Sequence, residues 1–144
     1  MKKNDNEEYT NIIYDGKGVI LGRLASHVAK MLLKGYNIVV VNANKLALSG
    51  NHRFLKEFYQ HRFERGDRHK GPFYPKQPNM IFKRAVRGML PKNKRGREVV
   101  KNLMVYNEVP EIFSGKAQKP EIKTVADLRC RYVELKSVVH KNYD

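Results

Sequence analysis

The amino-acid sequence predicts an α/β domain organised on a small parallel sheet, and three observations carry that expectation. An apolar stripe of helical period runs from Leu21 to Leu33. A β-branched run, Tyr36-Asn37-Ile38-Val39-Val40-Val41, follows it, and a shorter apolar segment, Ile12-Ile13-Tyr14, precedes both. Strand, helix and strand within about thirty residues make a βαβ crossover, a connection that implies parallel pairing. The chain has 144 residues, 41% of them hydrophobic, which suits one domain, residues 1–144, and suffices to close a core.

Residues 1–10 are polar and read as a flexible N-terminal segment. After the first strand, Asp15-Gly16-Lys17-Gly18 has turn chemistry. The first helix places Leu21, Leu24, Ala25, Val28, Ala29, Leu32 and Leu33 on one face, with Arg23, His27, Lys30 and Lys34 largely elsewhere. Gly35 supplies a left-handed stop. The run Ile38 to Val41 is of the kind buried on both faces of a parallel sheet. A second helix is expected from about Ser49-Gly50-Asn51 to Arg65-Gly66, with Phe54, Leu55, Phe58, Tyr59 and Phe63 as its apolar stripe. Gly71, Pro72, Pro75 and Pro78 then mark a loop too rich in proline for regular structure. Met80, Ile81, Ala85, Val86 and Met89 suggest a third helix, broken by Gly88 and Pro91, and a basic loop over 92–96 leads to a helix bearing Val99, Val100, Leu103 and Met104. Further on, Thr124 and Asp127 have the spacing of a helix cap, and Arg131 to Val139 alternates in part as a strand.

Charge is the strongest functional signal. Lys and Arg number 29 against 14 Asp and Glu, a net charge of +15. Thirteen of the cations fall in residues 62–101 with only Glu64, Asp67 and Glu98 for company, so this stretch carries +10. A surface built for solubility alone intersperses both signs; a surplus this dense calls for a polyanion, and nucleic acid is the commonest in a cell. The candidate contacts are Arg62, Arg65, Arg68, His69, Lys70, Lys76, Lys83, Arg84, Arg87, Lys92, Lys94, Arg95 and Arg97. Arginine forks bind phosphate oxygens in pairs. Tyr59, Phe63, Phe73, Tyr74 and Phe82 stand among the cations. Phe73 and Tyr74, as loop residues, are candidates to stack on unpaired bases, whereas the helix-spaced Phe54, Phe58 and Tyr59 read as core.

Other chemistry finds less support. The glycines of Gly16-Lys17-Gly18-Val19-Ile20-Leu21-Gly22 lie between strand and helix as in a dinucleotide fold, but the third comes one residue late. Asn42 also stands where an acidic residue would bind ribose. His61, Glu64, Asp67 and His69 could be drawn as a metal or acid–base site, yet the cations among them disfavour a dication. Cys130 is the single cysteine, which excludes a disulfide framework within the chain and reads as a small buried residue. No apolar run is long enough for a membrane helix, and none follows the N-terminus as in a secretory signal, so a soluble intracellular protein is expected. No catalytic residue, cofactor or small-molecule substrate is assigned. A DNA-binding protein and a nucleotide-dependent enzyme remain as rival readings.

Val86-Arg87-Gly88-Met89-Leu90-Pro91, a basic four-residue spacer, Gly96-Arg97 and then Leu103-Met104-Val105-Tyr106-Asn107 closely resemble the signature of the universal large-subunit ribosomal protein thirteen family. Leu21-Gly22-Arg23-Leu24-Ala25-Ser26, Val39-Val40-Val41-Asn42-Ala43, Ser49-Gly50 and Gly71-Pro72 match it in the same order. The resemblance covers about residues 12–110 and is nearest the archaeal branch. It implies a three-layer α/β/α domain around a parallel sheet of about four strands, with residues 62–101 as a basic RNA-binding extension. It also implies a non-enzymatic role: binding large-subunit ribosomal RNA beside neighbouring large-subunit proteins in the cytoplasmic ribosome, and aiding subunit assembly. Arg87, Gly88, Pro91, Gly96 and Arg97 match the signature itself, and Lys92, Lys94 and Arg95 fall in its spacer. Asn44, Glu108 and Lys76-Gln77-Pro78 depart from it, and residues beyond 111 match poorly.

Overall fold

The computed structural model describes residues 11–139; the expected N-terminal segment, 1–10, lies outside them. Strand β1 (Asn11–Asp15), helix α1 (Leu21–Leu33) and strand β2 (Asn37–Val41) form the crossover, with β1 and β2 parallel and Ile12 opposite Ile38. Gly35 takes φ +97°, the left-handed stop read from the sequence. Ile38, Val39, Val40 and Val41 are all buried. Strand β3 (Ala47–Ser49) comes next in the chain and pairs outside this sheet. On the other side of β2 lies β4 (Leu103–Val105), also parallel, so the sheet order is β1-β2-β4. The parallel sheet thus has three strands. A separate antiparallel pair joins β3 to β5 (Tyr132–Glu134).

Helix α2 spans His52–Glu64, α3 spans Pro78–Met89, α4 spans Lys94–Val99 and α5 spans Leu135–Val139. Leu24, Val28 and Leu32 of α1 share one core with Ile81, Phe82 and Val86 of α3, and with Ile38, Val40 and Leu103 of the sheet. Phe82 is fully buried, not an aromatic among the cations. Helix α3 runs through Gly88 without a break and is capped at Leu90, before Pro91. The expected last basic helix is shorter than its apolar residues suggested. It stops at Val99, passes through a 3₁₀ turn and gives way to strand at Leu103, because pairing with Ile38 and Val39 recruits Leu103 and Met104 to the sheet.

Helix α2 corrects another expectation. It begins where predicted, with Asn51 Oδ1 accepting from the Arg53 amide at 3.2 Å, and Leu55 and Tyr59 are buried. Phe54 and Phe58, however, are 64% and 40% exposed. The helix packs mainly on the short α5, and one small neighbour covers only one row of an aromatic surface.

The residues after 110 are fastened by backbone hydrogen bonds. Asp15 N–H donates to the Gln118 carbonyl and Gln118 N–H to that of Ile13, both at 2.9 Å, so this segment closes the open edge of β1. Val125 N–H reaches the Gly18 carbonyl at 3.0 Å and Leu135 N–H that of Leu46 at 2.8 Å. Thr124 does precede a helical turn, a 3₁₀ turn over Val125–Asp127, with its N–H donating to Asp127 Oδ2 at 2.9 Å. The expected strand from Arg131 to Val139 is half strand and half helix, dividing at Leu135. Cys130 is exposed, not buried. No described helix is long and apolar enough to cross a membrane.

Two outcomes follow from the core. Val40 is fully buried, so Val40→Asp places an unpaired carboxylate there at a cost of several kcal/mol, comparable with a total stability of about 5–15 kcal/mol. Circular dichroism should show the variant unfolded at room temperature. Burial, reinforced by Tyr74 and partly offset by Arg62, pushes the Tyr59 phenol from 10.0 up to about 12. A pKa raised on folding stabilises the native state below the unfolded value, and this contribution is lost as pH climbs through the folded one. Between about pH 10 and 12 the wild type should therefore lose urea resistance faster than Tyr59→Phe.

Candidate nucleic-acid interface

The predicted contacts are not all alike in the structure. Arg84, Arg87, Lys92 and Arg97 surround one cleft of about 710 Å³ between the end of α3 and α4, floored by Gly88, Leu90, Pro91, Gly96 and Val100. None of its lining residues is acidic. Arg84, Arg87, Lys92 and Arg97 are exposed. Two arginines reach it from one face of α3, at positions three apart, and the other two cations come from the loop and α4. Fixed like charges around a concavity focus positive potential into it.

The backbone below the cleft is held by two residues of the basic spacer and its flank. Asn93 Oδ1 accepts from the Gly96 amide at 2.9 Å and starts α4. Gly96 is buried, and a Cβ there would overlap the Pro91 carbonyl oxygen. Only glycine lets the two chain segments approach this closely. Gly88 differs: a Cβ on it would meet nothing within 4 Å. Its missing side chain leaves the cleft floor open.

Arg95 turns away from this group. Its Nη2 donates to the Leu33 carbonyl at 3.2 Å, tying α4 to the last residue of α1, where a cation is favoured by the helix dipole. Arg68, His69 and Lys70 form the exposed tip of a tight loop closed by reciprocal hydrogen bonds between Asp67 and Gly71, at 3.1 and 3.0 Å. Arg65 caps α2 and lies beside His61 and Glu64 in a shallow groove. Lys76 and Lys94 are exposed and outside the cleft, and Lys83 is half-buried.

Arg62 and Arg84 both hold Tyr74. The Arg84 guanidinium lies 4.7 Å and that of Arg62 5.4 Å from the ring centre, and Arg62 Nη1 donates to the Tyr74 hydroxyl at 3.4 Å. Tyr74 also packs edge-on against the buried Tyr59 at 6.4 Å. Its ring is thus already engaged by the protein's own groups. Phe73, by contrast, is 68% exposed.

The glycine turn after β1 is consumed internally. Gly16 N–H donates to the Val41 carbonyl at 2.9 Å, Gly18 N–H to that of Lys45 at 3.2 Å, and Val19 N–H to that of Gly16 at 3.1 Å. Asn42, at φ 60°, donates through Nδ2 to Asp15 Oδ1 at 2.7 Å. Those amides face protein carbonyls, and the corner joins β1 to the end of β2. Among the described residues no group of three or more His, Cys, Asp or Glu is placed to hold a metal ion.

The chain is similar to known proteins over most of its length. The family model described as ribosomal protein L13 matches residues 9–111. The chain is 45% identical over 128 residues to the large ribosomal subunit protein uL13 of Methanopyrus kandleri, covering 88% of this chain and 79% of that one. It is 48% identical over 105 residues to the protein of the same name from Archaeoglobus fulgidus (72% and 67% covered). With that of Aeropyrum pernix the identity is 43% over 141 residues, spanning 93% and 90%.

The two glycines of the cleft should respond oppositely to alanine. Gly96→Ala should lower the melting temperature by several degrees, since a clash with backbone costs about 1–3 kcal/mol. Gly88→Ala should leave it unchanged or raise it, because helix propensity adds up to about 1 kcal/mol of stability. Differential scanning calorimetry of the pair checks both signs.

Proposed function

The chain belongs to the ribosomal protein L13 family, and from that premise we propose that it is a structural constituent of the large ribosomal subunit that binds ribosomal RNA in the Arg84–Arg87–Lys92–Arg97 cleft. The observation that carries this reading is the cleft itself: four exposed cations, no carboxylate among its lining residues, and a floor kept low by Gly88. The four cations would displace counterions condensed on the RNA phosphates, and those phosphates would relieve the repulsion among the four side chains. Structured RNA is read mostly by shape and backbone contact, which a rigid concavity on a packed helix supplies. The role is non-catalytic: the protein holds RNA segments together in the cytoplasmic ribosome and so aids assembly. The exposed loop tip at Arg68, His69 and Lys70 would extend the contact outward.

A neighbouring large-subunit protein is the fitting partner for a different face. Residues 102–115 contain Glu108 and Glu111 and no Lys or Arg, while Met104, Val109 and Ile112 are 54%, 41% and 76% exposed. An apolar surface edged by carboxylates repels RNA and suits a basic polypeptide.

A tagged copy expressed in an archaeal host should sediment with the large subunit and remain there through a moderate salt wash. Arg87→Ala with Arg97→Ala should weaken binding to large-subunit ribosomal RNA by about a hundredfold, as two charge-assisted hydrogen bonds of roughly 1.5 kcal/mol require. The slope of log affinity against log salt should flatten by about 0.7–0.9 for each phosphate left without its cation. Arg95 is kept in place because it ties α4 to α1. Equal affinity of the double variant, or a preference for duplex DNA over RNA at fixed salt, overturns the reading.

A further inference from the structure

Five planar groups form a continuous ladder from the cleft to the far end of α2. Arg84, at the cleft wall, lies over Tyr74. Arg62 bridges from Tyr74 to Phe58, its guanidinium 4.2 Å from the Phe58 ring centre. Phe58 in turn stacks on Phe54, with centroids 6.3 Å apart and planes 22° from parallel. Phe54, Phe58 and Arg62 stand four residues apart along the helix, which puts them in one row. The ladder is braced from beneath: the buried Tyr59 meets Phe58 edge-on at 5.5 Å and touches Phe63 and Tyr74 as well. It ends at Phe54, which is 64% exposed.

We propose that the open end of this ladder, Phe54 backed by Phe58 and Arg62, is a stacking platform for an unpaired base of the RNA whose backbone occupies the cleft. The inference rests on the RNA-binding reading above and adds to it a second, non-ionic contact. Three features favour a base over a protein side chain. The platform is continuous with the cationic cleft through Arg62 and Arg84. Its inner ring, Phe58, is held by a guanidinium 4.2 Å from the ring centre, a cation–π contact that fixes the platform in place. Its surroundings on α2 and the next loop are cationic on balance, with Arg53, Lys56, Arg62, Arg65, Arg68 and Lys70 against Glu57, Glu64 and Asp67. Because the inner rings are already packed, little side-chain freedom remains to be lost on binding.

The chain contains no tryptophan, so Phe54→Trp introduces a single selective reporter. Titration with large-subunit ribosomal RNA should quench the emission of the introduced indole as it stacks on a base. Phe54→Ala should weaken binding roughly five- to 150-fold without flattening the salt slope and without lowering the melting temperature, since the side chain is exposed. Unchanged indole emission at saturating RNA, with Phe54→Ala binding as the wild type does, overturns the platform. So does an indole signal that changes only when other subunit proteins are added, which would assign the patch to a protein neighbour. If the Arg87/Arg97 double variant loses binding while Phe54 variants do not, the cleft stands and the platform falls. If the unmodified chain binds no ribosomal RNA, both fall.

Discussion

Like-charge repulsion at the cleft is the constraint on which the rest of this structure depends. Four cations converge there with no acidic residue in the lining, so the protein carries the unfavourable energy of assembling them, offset within the chain only in part, by Arg84 over the Tyr74 ring. At physiological ionic strength the screening length is about 8 Å, too long to isolate neighbours around one concavity. What holds them is apolar. The face of α3 opposite Arg84 and Arg87 presents Ile81, Phe82 and Val86 to α1, all buried. One helix therefore links a core, where any charge would be expelled, to a surface where charge is concentrated. Separation of these two faces by helical period lets a small scaffold keep a self-repelling charge distribution in place.

The basic stretch accordingly contains two classes of cation that composition treats as one. Arg87 and Arg97 reach into open space above the floor made by Gly88 and Gly96. Arg95, between them in the chain, lies along the surface to the end of α1, and Arg62 and Arg84 are partly committed to Tyr74. A guanidinium stacked on a ring keeps its edge free to donate hydrogen bonds while its planar face is fixed, so these two arginines are pre-oriented. The glycines divide in the same way: Gly96 is demanded by the Pro91 carbonyl pressed against it, whereas Gly88 has open space where a Cβ would stand.

Residues after 110 join the fold through backbone pairing together with the burial of Leu135 and Val138. Gln118 closes the edge of β1, and Leu135 and Arg131 give or take hydrogen bonds with Leu46 and Gly50. Such contacts carry no side-chain periodicity. The antiparallel pair β3–β5 is three residues long on each side and joins Ala47 to Glu134 across most of the chain, apart from the parallel sheet.

By itself the sequence determined the crossover and the sign and location of the charge. The bounds of α1, the stop at Gly35, the buried run ending at Val41 and the cationic surplus of 62–101 are all local properties, set by period, turn chemistry and composition. Tertiary structure alone decided which cations share a cleft, that Tyr74 is occupied while Phe54 and Phe58 are exposed, and that Leu103 and Met104 extend as strand. The physical reason is the same in each case. A helical stripe tells which residues could face a neighbour, but α2 has a neighbour covering one row only, and an arginine's direction depends on acceptors such as the Leu33 carbonyl, which lies far from Arg95 along the chain and beside it in space.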